Sequence, residues 1–199
     1  MSYANLRCRF FFLLLISFLS ACNKTAPPAR FHASDVTGSY AHADFHLTDH
    51  NGKPRALAHF RGKVVVLFFG YTHCPDVCPT KLADLAQTLR LLGKDAQQVQ
   101  VLFVTVDPER DTQALLAKFV PAFDESFLAL RGDAQATAEV AKNFLVDFHK
   151  NPTQSGYSMD HSTFTYVIDT QGRMRLMAGD RQPADMLAED IRLLLASKP

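Results

Sequence analysis

VVVLFFGYTHCPDVCPTKLADLAQTLRLLG, residues 64–93, holds the succession of elements that decides the fold. Val64 to Phe69 is an unbroken apolar run, the pattern of a central strand buried on both faces. Beyond the loop, Leu82, Leu85, Ala86, Leu89 and Leu92 fall on one helical stripe, and Gly93 supplies the stop. Between them, the thiols of Cys74 and Cys78 sit where a strand hands over to a helix N-terminus.

The flanking sequence extends this strand–helix pair in both directions. Upstream, Asp44 to Thr48 and Arg55 to His59 flank Asp49-His50-Asn51-Gly52, and Asn-Gly between two short extended runs is a strong hairpin signal. Downstream, Val99 to Val106 reads as a second buried strand. Asp111 is placed to cap a helix carrying Leu115, Leu116, Phe119 and Val120, and Asp133 to cap another with Val140, Ala141 and Phe144. Thr163 to Asp169, the Thr170-Gln171-Gly172 turn and Met174 to Ala178 make a second hairpin. Pro183 then suits the first turn of a closing helix with Leu187, Ile191, Leu194 and Leu195 inward. This order is that of a thioredoxin-like α/β sandwich, a central mixed sheet flanked by helices with an N-terminal β-hairpin.

Composition bounds the function. The chain has 199 residues, 47% apolar, with 21 basic and 20 acidic side chains. This describes one globular domain and argues against a nucleic-acid binder or a disordered polymer. Its first 21 residues read as a secretory signal: Arg7 and Arg9 form a positive n-region, and Phe10 to Leu19 is an apolar stretch. Ten helical residues span about 15 Å, half of a hydrocarbon core of about 30 Å, so a spanning helix is the weaker reading. Leu19-Ser20-Ala21-Cys22 resembles a bacterial lipobox, which implies lipidation of Cys22 and an envelope-anchored domain facing the periplasm. Residues 22–39, rich in Ala, Pro, Ser and Thr, read as a tether, with the domain over 40–199. Without Arg7 and Arg9 the mature chain carries 19 basic and 20 acidic residues, which leaves no polybasic membrane patch. With no long apolar surface run, a monomer is expected.

If Cys8 leaves with the signal and Cys22 serves the anchor, Cys74 and Cys78 are the only thiols in the domain. Four residues apart on one helical turn, they can face the same side, and the helix terminus favours anions, so a lowered thiol pKa is expected. They can close a structural disulfide, cycle as a redox pair or hold a metal. His161, in Met159-Asp160-His161-Ser162, precedes the Thr163 strand, whose entry loop faces the first helix N-terminus in a thioredoxin-like sheet. Thioredoxins place a cis-proline there; here no proline lies between Pro152 and Pro183, which leaves room for an imidazole. Two thiolates and an imidazole form a soft three-ligand set, suited to copper more than to a closed four-ligand zinc site. Asp76 and Asp160 are candidates to tune that set, as carboxylates or as plain helix caps. His73 is expected on the surface, as are the scattered His32, His42, His46, His50 and His59. Met159, Met174 and Met177 read as core filler. No G-x-S-x-G, Walker loop or H-E-x-x-H supports a hydrolase or nucleotide site.

Residues 69–79 (FGYTHCPDVCP), 106–112 (VDPERDT) and 160–162 (DHS) together resemble the Sco/SenC family of copper-binding assembly proteins for cytochrome c oxidase, a likeness running from about Ala43 to the C-terminus. The resemblance implies a thioredoxin-like fold and one copper, Cu(I) or Cu(II), held by Cys74, Cys78 and His161. It implies delivery of that copper to the binuclear centre of oxidase subunit II, or reduction of that centre's cysteines. A carrier without turnover and a thiol–disulfide oxidoreductase thus both follow from it. The 107–112 segment reads as a loop and helix cap without chemistry of its own.

Overall fold

The computed structural model describes residues 30–40, 43–154 and 156–197. The signal, Cys22, the lipid anchor and His42 therefore lie outside the described residues. Phe31–Pro199 forms one compact unit. Among the described residues there are ten strands: β1 Ser34–Asp35, β2 His46–Asp49, β3 Pro54–Ala56, β4 Val64–Gly70, β5 Val99–Thr105, β6 Leu128–Arg131, β7 Phe148–Thr153, β8 Gly156–His161, β9 Thr165–Ile168 and β10 Met174–Ala178. The helices are α1 Val77–Leu92, α2 Gln113–Phe119, α3 Ala134–Asn143 and α4 Ala184–Ala196.

Eight strands form one mixed sheet in the order β1-β10-β9-β4-β5-β6-β2-β3, while β7 and β8 pair separately as a two-stranded hairpin. β4 runs parallel to β5 and antiparallel to β9, which puts the all-apolar run at the centre. Every residue of β4 is buried, so both of its faces are covered, as its sequence requires. α1 packs against α4 through its leucine stripe, with Leu82, Leu85, Leu89 and Leu92 buried against a core that includes Leu187, Ile191 and Leu194. The architecture is the expected thioredoxin-like α/β sandwich, and the Asn51-Gly52 hairpin forms one edge of the main sheet.

Four local expectations are corrected. The domain begins at Phe31 rather than Tyr40: β1 pairs with β10, and the backbone N–H groups of His32 and Ala33 donate to the fully buried Asp190 carboxylate at 2.8 and 2.9 Å. A carboxylate inside α4 gave no hint of this, because a charge in a helix usually faces water. The strand begun at Arg55 ends at Ala56 and tightens into a 3₁₀ turn, Leu57–Phe60, that buries Leu57 and Phe60. Asp111 does not cap α2; Thr112 does, accepting from the Leu115 N–H at 3.2 Å, which frees Asp111 for the interior. Finally, His161 ends β8 instead of lying in a loop. The hairpin escaped reading because its strands, FHKNPT and GYSMDH, carry little apolar alternation.

Candidate metal centre

β4 ends on Gly70, and the chain crosses Tyr71 to Asp76 before α1 starts at Val77. Cys78, in the first turn of α1, is fully buried, whereas Cys74 in the loop is half-buried; both are free thiols. The Cys78 backbone N–H, one of those left unpaired at a helix start, points at Cys74 Sγ from 3.4 Å. Gly70 makes room for this arrangement. A Cβ there would lie 2.7 Å from the Phe103 ring and 3.0 Å from Cys78 Sγ, so no larger residue fits without displacing the thiol.

His161 arrives from the far side on β8. Its Nε2 is 3.6 Å from Cys78 Sγ, and its Nδ1 is 2.9 Å from the Ser162 carbonyl. A carbonyl oxygen only accepts, so Nδ1 carries the proton and the Nε2 lone pair faces the sulfur. The ring is fixed further by edge-on contacts with Tyr71 and Phe68, centroids 5.9 and 6.2 Å away. Burial lowers the imidazole pKa, against the opposing pull of the Ser162 carbonyl and the Asp160 charge. The lowered thiol pKa expected of the helix terminus is not found at Cys78. Burial pushes that thiol far up, and the hydrogen bond at Tyr71 offsets only part of the effect. Burial thus favours the uncharged form of both groups, and a soft cation can take the place of the thiol proton.

The remaining sequence candidates are placed as follows. Asp160 does not touch the His161 ring; its side chain is 61% exposed and faces His149 Nε2 at 3.6 Å, so the Ser162 carbonyl rather than Asp160 sets the tautomer. Asp76 is exposed and accepts from the Thr80 hydroxyl at 3.3 Å, without capping a backbone N–H. His73 is half exposed, 3.1 Å from the Thr72 hydroxyl. His32 pairs with Glu189, His50 with the Ala129 N–H, and His46 and His59 lie together along a shallow groove beside β2 and β3. Met159 and Met174 are buried in the core. Among the described residues no three or more His, Cys, Asp or Glu side chains are already gathered as a metal-holding group. Cys78 and His161 are juxtaposed, and Cys74 stands one helical turn away.

Residues that no motif chemistry suggested support the site. Asp111 is fully buried and accepts from the Thr72 N–H at 3.1 Å and the Thr105 hydroxyl at 2.6 Å, tying the cysteine loop to the end of β5. Asp107, also buried, accepts from the Tyr157 hydroxyl on β8 at 2.8 Å. The only sequence signal was their presence in the 106–112 segment, which a loop and cap explained equally well.

Fold and site together define a thioredoxin-like domain with a dithiol at the first helix N-terminus and an imidazole facing it. The SCO1/SenC family model matches residues 34–196, and the chain belongs to that family. Its relatives include the mouse (Mus musculus) protein SCO2 homolog, mitochondrial, 39% identical over 158 residues that make up 77% of this chain and 62% of that protein. The chain thus spans less than two thirds of the length of that relative. Similar solved structures include Bradyrhizobium japonicum ScoI with copper bound, 40% identical, covering 76% of this chain and 98% of that one, with a TM-score of 0.71. Yeast Sco1 with copper bound is 30% identical, covers 78% of this chain and 88% of that one, and has a TM-score of 0.72.

Proposed function

We propose that this protein carries one copper ion on Cys74, Cys78 and His161, and hands it to a copper-receiving protein during cytochrome c oxidase assembly, with subunit II as the recipient. The observation that carries the reading is the Nε2 lone pair of His161 facing Cys78 Sγ at 3.6 Å, with Nδ1 already satisfied by Ser162. A buried thiol whose proton is hard to lose to water gives it up to a soft metal, because the metal–sulfur bond compensates for burial. Cys74 completes the set by rotation of a half-buried side chain. Its exposure leaves one ligand open to exchange with an incoming donor, as release to a partner requires. The donor set fits copper by softness, and the copper-bound relatives support that choice. Lipidation at Cys22 would hold the domain at the bacterial envelope, facing the periplasm, as a monomer.

The thiol–disulfide reading is favoured by a different observation, the contrast between a half-buried Cys74 and a fully buried Cys78. Cys74 thiolate would attack a partner disulfide and release one partner thiolate. Cys78 would then attack Cys74 Sγ and release the second, so two electrons pass to the partner and a Cys74–Cys78 disulfide remains. Copper stoichiometry and affinity of the fully reduced unit Phe31–Pro199, beside His161→Ala and Cys74→Ser, separate the two. One tightly held copper, lost in both variants, is expected of the carrier. Weak binding indifferent to His161, with ready disulfide cycling, would replace it with the oxidoreductase.

A further inference from the structure

The hairpin that carries His161 shares no strand pairing with the main sheet, so apart from its short covalent link to β9, side-chain contacts set its distance from the cysteines. They converge on one residue of the loop between β5 and α2. The Arg110 guanidinium is ion-paired through Nε with the buried Asp107 carboxylate and donates from Nη1 to the Tyr157 carbonyl on β8 at 2.8 Å. It also lies over the Tyr157 ring, 3.7 Å from the centroid, and 5.8 Å from the centroid of Tyr71 in the cysteine loop. Tyr71 in turn meets the His161 ring edge-on. Tyr157 closes the circuit by donating its hydroxyl to Asp107 at 2.8 Å. The neighbouring Asp111 fastens the cysteine loop through Thr72, so the two halves of the site hang from adjacent residues of one short loop.

From this geometry we infer that Arg110, oriented by Asp107, is a positioning residue that sets the spacing between Cys78 and His161 by clamping the histidine hairpin against the cysteine loop. Its planar fork is suited to the task. Its Nε pairs with a carboxylate, its Nη1 donates to a carbonyl, and its cationic centre lies over the Tyr157 ring and within cation–π reach of Tyr71, which a lysine ammonium cannot reproduce together. The Lys150–Glu109 pair at 2.6 Å lies on the exposed rim of the same junction and contributes little. The copper consequence rests on the carrier reading above; the spacing itself does not.

The test uses the full-length chain in mild detergent with Arg110→Met, Arg110→Lys and Tyr157→Phe. In metal-free protein, Arg110→Met is expected to speed hydrogen exchange of the backbone amides in 148–161 at least tenfold. It should also weaken the proton cross-relaxation between the His161 and Phe68 rings, with exchange in β4 and β5 unchanged. Copper(I) affinity, measured by chelator competition, should fall about threefold or more, where loss of a ligand's own hydrogen-bond partner typically costs about 10–100-fold, and the copper(II)–thiolate absorption band should move. Arg110→Lys should recover part of each change, since it keeps only the charge. If Arg110→Met fails to fold, Tyr157→Phe, which loses one hydroxyl and keeps the ring, is expected to show the same exchange change at smaller amplitude. Wild-type hairpin exchange and ring contacts in a folded variant would overturn the proposal, as would copper affinity within threefold of wild type beside an unmoved band. Should the wild-type chain take up no copper, the carrier reading falls, and the metal-free measurements still decide the role of Arg110.

Discussion

Replacing Gly70 by alanine probes core packing and the site at once. The new Cβ would stand 2.7 Å from Phe103 Cε2, 3.0 Å from Phe68 Cε1 and 3.0 Å from Cys78 Sγ, all of them in fully buried side chains. Ordinary contact is about 3.5–4.0 Å, so neighbours on three sides must retreat by about 0.5–1 Å in a core packed like a crystal. Overpacking of this kind costs about 1–3 kcal/mol. Gly70 has no positive φ, so alanine recovers about 0.4–1 kcal/mol through the smaller entropy of its unfolded chain. The balance is a destabilisation of about 1–2 kcal/mol, a fall of about 2–8 °C in melting temperature for a domain of this size. Gly179→Ala is the control, because a Cβ there meets nothing within 4 Å and the backbone is equally permissive. Urea unfolding of both variants, with midpoints compared at equal slope, measures the difference. Copper titration of Gly70→Ala should also show weaker binding, since the Cys78 thiol is one of the three groups that must give way. Stability of Gly70→Ala at or above that of Gly179→Ala would refute the packing argument.

Other expectations concern regions away from the cysteines. Burial alone would raise the Asp49 and Asp169 carboxyls, but backbone N–H groups and Arg55 or Arg173 outweigh it and hold both below the usual carboxylate range. A depressed carboxyl stabilises the fold above its unfolded pKa of about 4. Stability should therefore fall as pH drops below about 4 in acid titrations, with a shallower slope in Asp49→Asn and Asp169→Asn. Asp190→Ala should strip the His32 and Ala33 N–H groups of their acceptor, destabilise by about 1–3 kcal/mol and release hydrogen-exchange protection over residues 32–36. Leu145, at φ 54° and 68% exposed, holds a left-handed conformation with little packing in return, so Leu145→Asn should raise the melting temperature through a gain of up to about 1 kcal/mol.

Local pattern determined the elements whose energetics are local. An all-apolar 64–69 run has no stable place except the middle of a covered sheet. The leucine stripe of α1 needs an apolar partner, and Asn51-Gly52 is a turn by backbone preference alone; all three lie where residue chemistry placed them. Cys74, Cys78 and His161 were legible as the chemical candidates from their places at the first helix N-terminus and before the facing strand, and from the resemblance of 69–79 and 160–162 to the Sco/SenC family. Tertiary structure decided what those candidates experience. The helix-terminus argument foresaw a more acidic thiol, but the chain above Cys78 covers it, and desolvation outweighs a dipole that fades within one turn. Asp107 and Asp111 look in sequence like loop and cap residues, and Asp190 like a charge on the wet face of a helix, yet each is a buried acceptor for a segment 39 to 158 residues away, which no local pattern encodes. The β7–β8 hairpin is the clearest case: too polar to announce itself as strand, it is held by Arg110 and Tyr157 across about 47 residues of chain. Composition and spacing determine which groups a chain can bring to its chemistry; their distances, protonation and burial come from contacts between parts of the chain that meet only when it folds.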